Sequence, residues 1–222
     1  MARARLHPDD IHQFRKRAAD AAIHLFAVQG YDAVTMRALA AELGVSAMTP
    51  YRYLAGKEEL FALVRAEAFR RFADRLEASL ETARGPLERL FDIKRAYVQF
   101  AVDDPDAYRT MFELRPPVPD LELPELLAEI RRAFGCLLDT VTDAVRTGAL
   151  QGDPLTIAHL MWASTHGLVS LHLAGRLRMG RSLAALAALD HELDGLRAVP
   201  TRTGAARKRP APNSTKRMRR TR

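Results

Sequence analysis

Residues 36–54 read MRALAAELGVSAMTPYRYL. Thr35, directly before them, offers a hydroxyl that can accept a hydrogen bond from a free amide at a helix start. Leu39, Ala40 and Leu43 then share one helical face, and Ala40 is small enough to let a second helix cross close to the first. Gly44 follows and can take the left-handed backbone that a sharp turn requires. Val45 is expected to pack beneath the turn, Ser46 to cap the next helix, and Tyr53 to return to the core. A small residue, a gap of four to Gly, then an apolar residue is the spacing of a DNA-reading helix-turn-helix. On spacing alone, an ordinary helical hairpin remains the alternative.

Outward from this stretch the pattern is helical throughout, with no sustained alternation of apolar and β-branched residues that would mark strands. Gly and Pro punctuate it at Gly30, Gly44, Gly56, Gly85-Pro86, Asp104-Pro105, Pro116-Pro117, Gly148 and Gly175. About nine helices fit between these marks. Three short ones precede residue 56, and four long ones cover roughly 57–83, 86–102, 123–147 and 154–178. Asp104-Pro105 and Asp153-Pro154 each place a capping carboxylate before a proline at the first helical position. Ser182 can cap a last helix over 182–196. The expected fold class is all-α: an N-terminal three-helix domain over 10–72, with the helix-turn-helix at about 35–54, and a C-terminal helical bundle over 73–196.

Composition narrows the function. The chain has 222 residues, 48% hydrophobic and 27% charged, enough to build a core. Its single cysteine, Cys136, excludes a disulfide framework or a multi-Cys metal site. No apolar run backs the charges near Met1, so no secretory signal is read there and a reducing cytoplasm is the expected compartment. The net charge of +7 is carried by the tail: Arg197 to Arg222 holds ten Lys and Arg and no acid, leaving 24 basic against 27 acidic residues elsewhere. That tail, 197–222, is expected to be disordered and to add salt-sensitive affinity for phosphate. Pro154 to Gly175 carries no charge over 22 positions, but His159, His166, His172 and several hydroxyls point to a buried helix rather than a membrane span.

The flanks add a specific likeness. Residues 17–64, RAADAAIHLFAVQGYDAVTMRALAAELGVSAMTPYRYLAGKEELFALV, resemble the N-terminal domain of TetR-family transcriptional regulators. The matching landmarks include Leu25-Phe26, Gly30-Tyr31, Thr35, Leu39-Ala40, Gly44-Val45-Ser46, Tyr51, Tyr53-Leu54 and Lys57-Glu58. Two positions depart from the family pattern. Ala18-Ala19 stand where larger aliphatics are usual, which should thin the core, and Pro50 removes an N–H from the recognition helix. DDPDAYRTMFELRPP (103–117) and MWASTHGLVSLHLAGRL (161–177) look like the WHG-type C-terminal domain of one TetR subfamily, in which the Thr49-Pro50-Tyr51-Arg52 run also fits. The resemblance implies a ligand-binding, dimerising domain.

Chemistry can then be assigned by residue. Thr35 and Arg37 open the first helix of the motif, where Arg37 can reach a phosphate. Ser46, Ala47, Met48 and Thr49 stand at the start of the recognition helix, where base edges are read. Ala47 and Met48 offer apolar contact to a thymine methyl, Thr49 a hydrogen bond, and Arg52 a bidentate pair to guanine or a phosphate contact. Tyr51 resembles the family tyrosine whose hydroxyl binds phosphate. Lys57 opposes the macrodipole at a helix N-terminus, so a purely structural role explains it poorly and a phosphate there is expected.

In the C-terminal part, Tyr97, Phe100, Tyr108, Met111, Phe112, Phe134, Trp162 and His166 are candidates to line an effector pocket, with core packing the alternative. So aromatic a lining suits a small, mostly apolar effector, and an anion or sugar fits it poorly. Leu155, Ile157, Leu160, Leu168 and Leu171 make helix 154–178 apolar nearly all round, so it must bury every face. A second subunit is the natural cover, and helices 154–178 and 182–196 resemble the two that TetR-family members pair in a homodimer. No phosphate loop, nucleophile elbow or metal motif occurs, so no catalytic residue, metal or cofactor is expected. The expected function is a cytoplasmic, nucleoid-associated repressor binding a near-palindromic operator as a homodimer, released by its effector. The alternatives are an activator or ligand-independent regulator of the same fold, or a helical enzyme or carrier with an incidental three-helix domain.

Overall fold

The computed structural model describes residues 7–81, 85–115, 123–177 and 182–183. Among them are seven α-helices and one 3-10 turn: α1 Pro8–Ala33, α2 Met36–Glu42, the 3-10 turn Pro50–Arg52, α3 Lys57–Ser79, α4 Pro86–Asp103, α5 Pro105–Phe112, α6 Pro124–Arg146 and α7 Pro154–Leu173. The fold is all-α, with no strand among the described residues. The expected last helix, all but its first two residues, and the basic tail lie outside them, as does the pairing of the last two helices.

Local chemistry sets most of the ends. Thr35 Oγ1 accepts from the Ala38 amide at 3.1 Å, Asp104 Oδ1 from Ala107 at 3.2 Å and Asp153 Oδ2 from Thr156 at 2.8 Å, each filling an amide that the first turn leaves open. Five helices place Pro in their first turn, where its missing N–H costs nothing. Behind α2, Gly44 adopts φ +66°; its amide bonds Ala41 O at 3.1 Å and the Val45 amide bonds Ala40 O at 2.9 Å. This left-handed cap makes the turn of the helix-turn-helix.

Two expectations are corrected here. The first helix is not short but runs 26 residues, bent near its end where Gly30 takes φ 76° and ψ 169°. The recognition segment forms a turn over 46–49 and then a 3-10 turn, not an α-helix. Pro50 has no amide to give Ser46, and the Thr49, Arg52 and Tyr53 amides instead bond three residues back at 2.9–3.0 Å. Within the single chain α7 buries the stripe Ala158, Met161, Thr165 and Val169 and leaves Leu155, Leu160 and Leu171 49%, 47% and 45% exposed, the faces that the expected second subunit would have to cover. Among the described residues, no helix is long and apolar enough to cross a membrane.

The helix α3 is the spine, packing on α1, α4, α5 and α6. Its buried side chains Leu60, Phe61, Val64, Phe69, Phe72 and Leu76 join one contiguous core that runs from Phe14 to Val169. Ala18 and Ala19 lie on the buried face of α1, and aromatic bulk in the same core comes from Phe26, Tyr31 and Phe61, whose rings lie 4.9–6.0 Å apart. Arg71 ties three helices together: it pairs with Asp20 of α1, with Glu67 of α3 at 3.0 Å and with Asp104, the cap of α5, at 3.4 Å. Burial pushes the Glu67 carboxyl up, but hydrogen bonds from Arg70 and Arg71 outweigh it and hold the group below the ordinary carboxylate range. His24 of α1 meets Asp106 of α5 at 2.7 Å.

Candidate DNA-reading surface and effector cavity

The turn that follows α2 is exposed at its tip. Ala47 is exposed, Met48 is 69% and Tyr51 52% exposed, and Arg52 also faces solvent, its guanidinium 5.9 Å from the Tyr53 ring. Large apolar and aromatic groups left in water on a polar turn are the informative kind of exposure. The turn is held from behind: Pro50 and Leu54 are buried, and Tyr53 stacks on Phe14 at 4.1 Å. Ser46 does not cap a backbone amide as expected; its hydroxyl lies 2.8 Å from Thr49 Oγ1, coupling the two hydroxyls. Thr35 Oγ1 accepts from the Ala38 amide and keeps its own hydrogen to donate, while Arg37 is exposed one residue into α2.

At the start of α3, Lys57 is half-buried. Its ammonium donates to Asp32 O at 3.0 Å and sits 4.4 Å from the centre of the Tyr31 ring. A structural role that the sequence argued against therefore exists: the lysine fastens α3 to the carbonyl end of α1, just before Thr35. An ammonium has three protons, so the tether leaves donors for a phosphate. Glu59, two residues on, accepts from the Ala55 amide at 2.6 Å and from Arg15 of α1. Burial raises its carboxyl, yet these bonds prevail and keep it low.

A second feature lies at the other end of α3. A cavity of about 270 Å³ is walled by Phe69, Phe72 and Leu76 of α3, Ile93 and Tyr97 of α4, Phe112 of α5, Ile130, Arg131, Ala133, Phe134 and Leu137 of α6, and His159 and Trp162 of α7. Of the eight residues expected to line a pocket, Tyr97, Phe112, Phe134 and Trp162 do so. Phe100, Tyr108, Met111 and His166 do not. Phe100, Tyr108 and Met111 are buried behind the wall, where Phe72 meets Phe100 at 5.1 Å and Met111 gives its carbonyl to Arg65 at 3.1 Å. Helical periodicity marked all of them as inward-facing; it could not separate the wall from the layer behind it. The α3 phenylalanines were missed because the only sequence signal, an amphipathic stripe, is the same for core and cavity.

Behind Tyr97 runs a polar chain. Tyr97 Oη is 3.3 Å from both Tyr108 Oη and His166 Nδ1, Tyr108 Oη is 2.7 Å from His166 Nδ1, and His166 Nε2 is 3.4 Å from Ser170 Oγ. Burial lowers the His166 pKa, so the ring is neutral near pH 7 and Nδ1 can accept from Tyr108 while Nε2 donates to Ser170. Burial likewise pushes Tyr97 far above the ordinary phenol range and Tyr108 up to about 12. The chain joins α4, α5 and α7, and Tyr97, which begins it, stands in the cavity wall.

Two family models match: the bacterial regulatory proteins of the tetR family over residues 19–64, and the tetracyclin repressor-like C-terminal domain over residues 90–196. The chain therefore belongs to the TetR family of bacterial regulatory proteins, with a tetracyclin repressor-like C-terminal domain. It is 28% identical over 134 residues to the fatty acid metabolism regulator protein of Bacillus subtilis, covering 60% of this chain and 68% of that one. It is 37% identical over 95 residues to the HTH-type transcriptional repressor KstR of Rhodococcus jostii, covering 40% of this chain and 44% of that protein, less than half its length. The solved structure of the transcriptional regulator FadR from Bacillus subtilis, in complex with stearoyl-CoA, shares the fold with a TM-score of 0.69 at 20% identity, covering 81% of this chain and 96% of that one.

Proposed function

We propose that the protein represses transcription by binding a near-palindromic operator as a homodimer, and that an effector with an apolar body fills the 270 Å³ cavity and releases the DNA. The observation that carries this reading is the placement of α3. Its first residue, Lys57, adjoins the exposed reading turn, and Phe69 and Phe72 of the same helix wall the cavity. At 1.5 Å per residue, Lys57 and Phe72 are about 22 Å apart along one rod. A tilt of about 5° at the cavity end would move the reading end by about 2 Å. Two reading turns must meet major grooves about 34–36 Å apart, so shifts of that size at both ends lose the second half-site.

On this reading residues 10–72 hold the DNA-binding unit and 73–196 the effector and dimerisation unit, with α3 belonging to both. Thr35, Arg37, Ser46, Thr49, Tyr51 and Lys57 contact phosphates or position the turn, and Ala47, Met48, Thr49 and Arg52 read bases. The exposed leucines Leu155, Leu160 and Leu171 support a second copy packing on α7. The names of the relatives, a fatty acid regulator and a regulator bound to stearoyl-CoA, support an acyl chain as the effector's apolar body. The protein is placed in the cytoplasm, on the nucleoid. Fluorescence anisotropy with DNA from its own upstream region tests the reading. Binding at one site by two copies supports it, and equal affinity for any DNA sequence would refute the operator.

A further inference from the structure

Arg131, solvent-exposed on α6, is the single Lys, Arg, Asp or Glu among the residues that line the cavity, in a lining otherwise aromatic and aliphatic apart from His159. It makes no ion pair among the described residues. Its neighbour Arg132 differs completely: that guanidinium binds Glu77 and Asp74 at 2.7 Å and Glu129 at 3.2 Å. The helix explains the difference. Positions three and four away from Arg131 on α6 are Leu127, Ala128, Phe134 and Gly135, so no carboxylate on its own helix can reach it. No Asp or Glu lines the cavity to repel an anion either. His159, on α7, donates through Nδ1 to Leu155 O at 2.8 Å and keeps Nε2 for other contacts.

We propose that the effector is an amphipathic anion: its apolar body lies against Phe69, Phe72 and Phe134, and a carboxylate or phosphate group pairs with the Arg131 guanidinium at the cavity wall. This refines the reading of the cavity as the effector site and rests on it. It also replaces the expectation, drawn from the aromatic residues alone, that an anion fits poorly. Arginine's planar fork suits both oxyanions, so the negative group can come from a free fatty acid or from the phosphates of an acyl thioester.

Three ligands of equal chain length separate these possibilities on the full chain: decan-1-ol, decanoate and decanoyl-CoA. Binding is followed by calorimetry and by Trp162 emission. The wild type should bind at least one of the two anions about tenfold more tightly than the alcohol. The excess should shrink as salt rises. Arg131→Met should bring that anion to the alcohol's level and leave alcohol binding unchanged, which also shows the variant is folded; Arg131→Lys should recover part of the excess. Loss for decanoate identifies the carboxylate as the partner, and loss confined to decanoyl-CoA identifies the phosphates. If the wild type binds all three equally, or Arg131→Met preserves the preference, the Arg131 assignment is overturned while the cavity stands as an apolar site. If none of the three binds, the effector reading of the cavity falls and the assignment with it.

Discussion

Lys57 joins two roles that one substitution set can separate. In the free protein its ammonium donates to Asp32 O at 3.0 Å and lies 4.4 Å from the Tyr31 ring centre. A hydrogen bond from a charged donor in a solvated setting contributes about 1 kcal/mol, and a partly exposed cation–π contact about 0.5 kcal/mol. Lys57→Gln should therefore lower unfolding free energy by about 1–1.5 kcal/mol, where an ordinary surface lysine would change it by less than about 0.5 kcal/mol. The same substitution should remove one phosphate contact per copy. In a dimer the slope of log affinity against log salt should then fall by about 2, with all DNA sequences weakened alike. Urea denaturation reads the first effect and a salt series of anisotropy titrations the second. A stability loss with an unchanged salt slope would refute the phosphate role; a slope change without a stability loss would refute the tether.

Gly44→Ala should cost about 1–2 kcal/mol of stability, from backbone strain at φ +66° alone, because nothing lies within 4 Å of the added carbon. Thermal unfolding checks it, and an unchanged midpoint would remove the left-handed cap. Phe72→Ala should cost about 3 kcal/mol, at the low end for a buried ring because one side already borders open space; a loss below about 1 kcal/mol in urea would show that Phe72 is not a pillar of the wall. Tyr108 is raised to about 12, so its contribution to stability is whole below pH about 10, the unfolded value, and is lost as pH rises toward 12. An alkaline titration followed by tyrosinate absorbance and circular dichroism should show Tyr97 and Tyr108 ionising only with unfolding. Full ionisation of all five tyrosines in a native spectrum would contradict their burial.

What could be read from sequence was local. Caps depend on one side chain and the next turn, so Thr35, Asp104 and Asp153 marked helix starts that the structure places within a residue or two. The left-handed Gly44 was legible for the same reason. Pro50 was seen to remove an amide, but not that a 3-10 turn would replace the recognition helix, with Leu54 and Tyr53 anchoring it to the core. Tertiary neighbours were not legible. Lys57 finds a carbonyl 25 residues earlier in the chain, and Tyr108 finds His166 across 58 residues. Arg131 and Arg132 are identical in composition, and only the fold gives one three acidic partners and sets the other in a cavity wall.

The central claim is that filling the cavity and releasing DNA are one event transmitted along α3. A single titration addresses it: the full chain bound to a labelled fragment of its own upstream DNA, with decanoyl-CoA added while anisotropy and Trp162 emission are recorded together. Trp162 is the chain's only tryptophan and stands in the cavity wall, so its emission reports occupancy directly. The account predicts that the two signals change over the same ligand range and that Phe72→Ala shifts both together. Saturation of the Trp162 signal with the DNA still bound would contradict it.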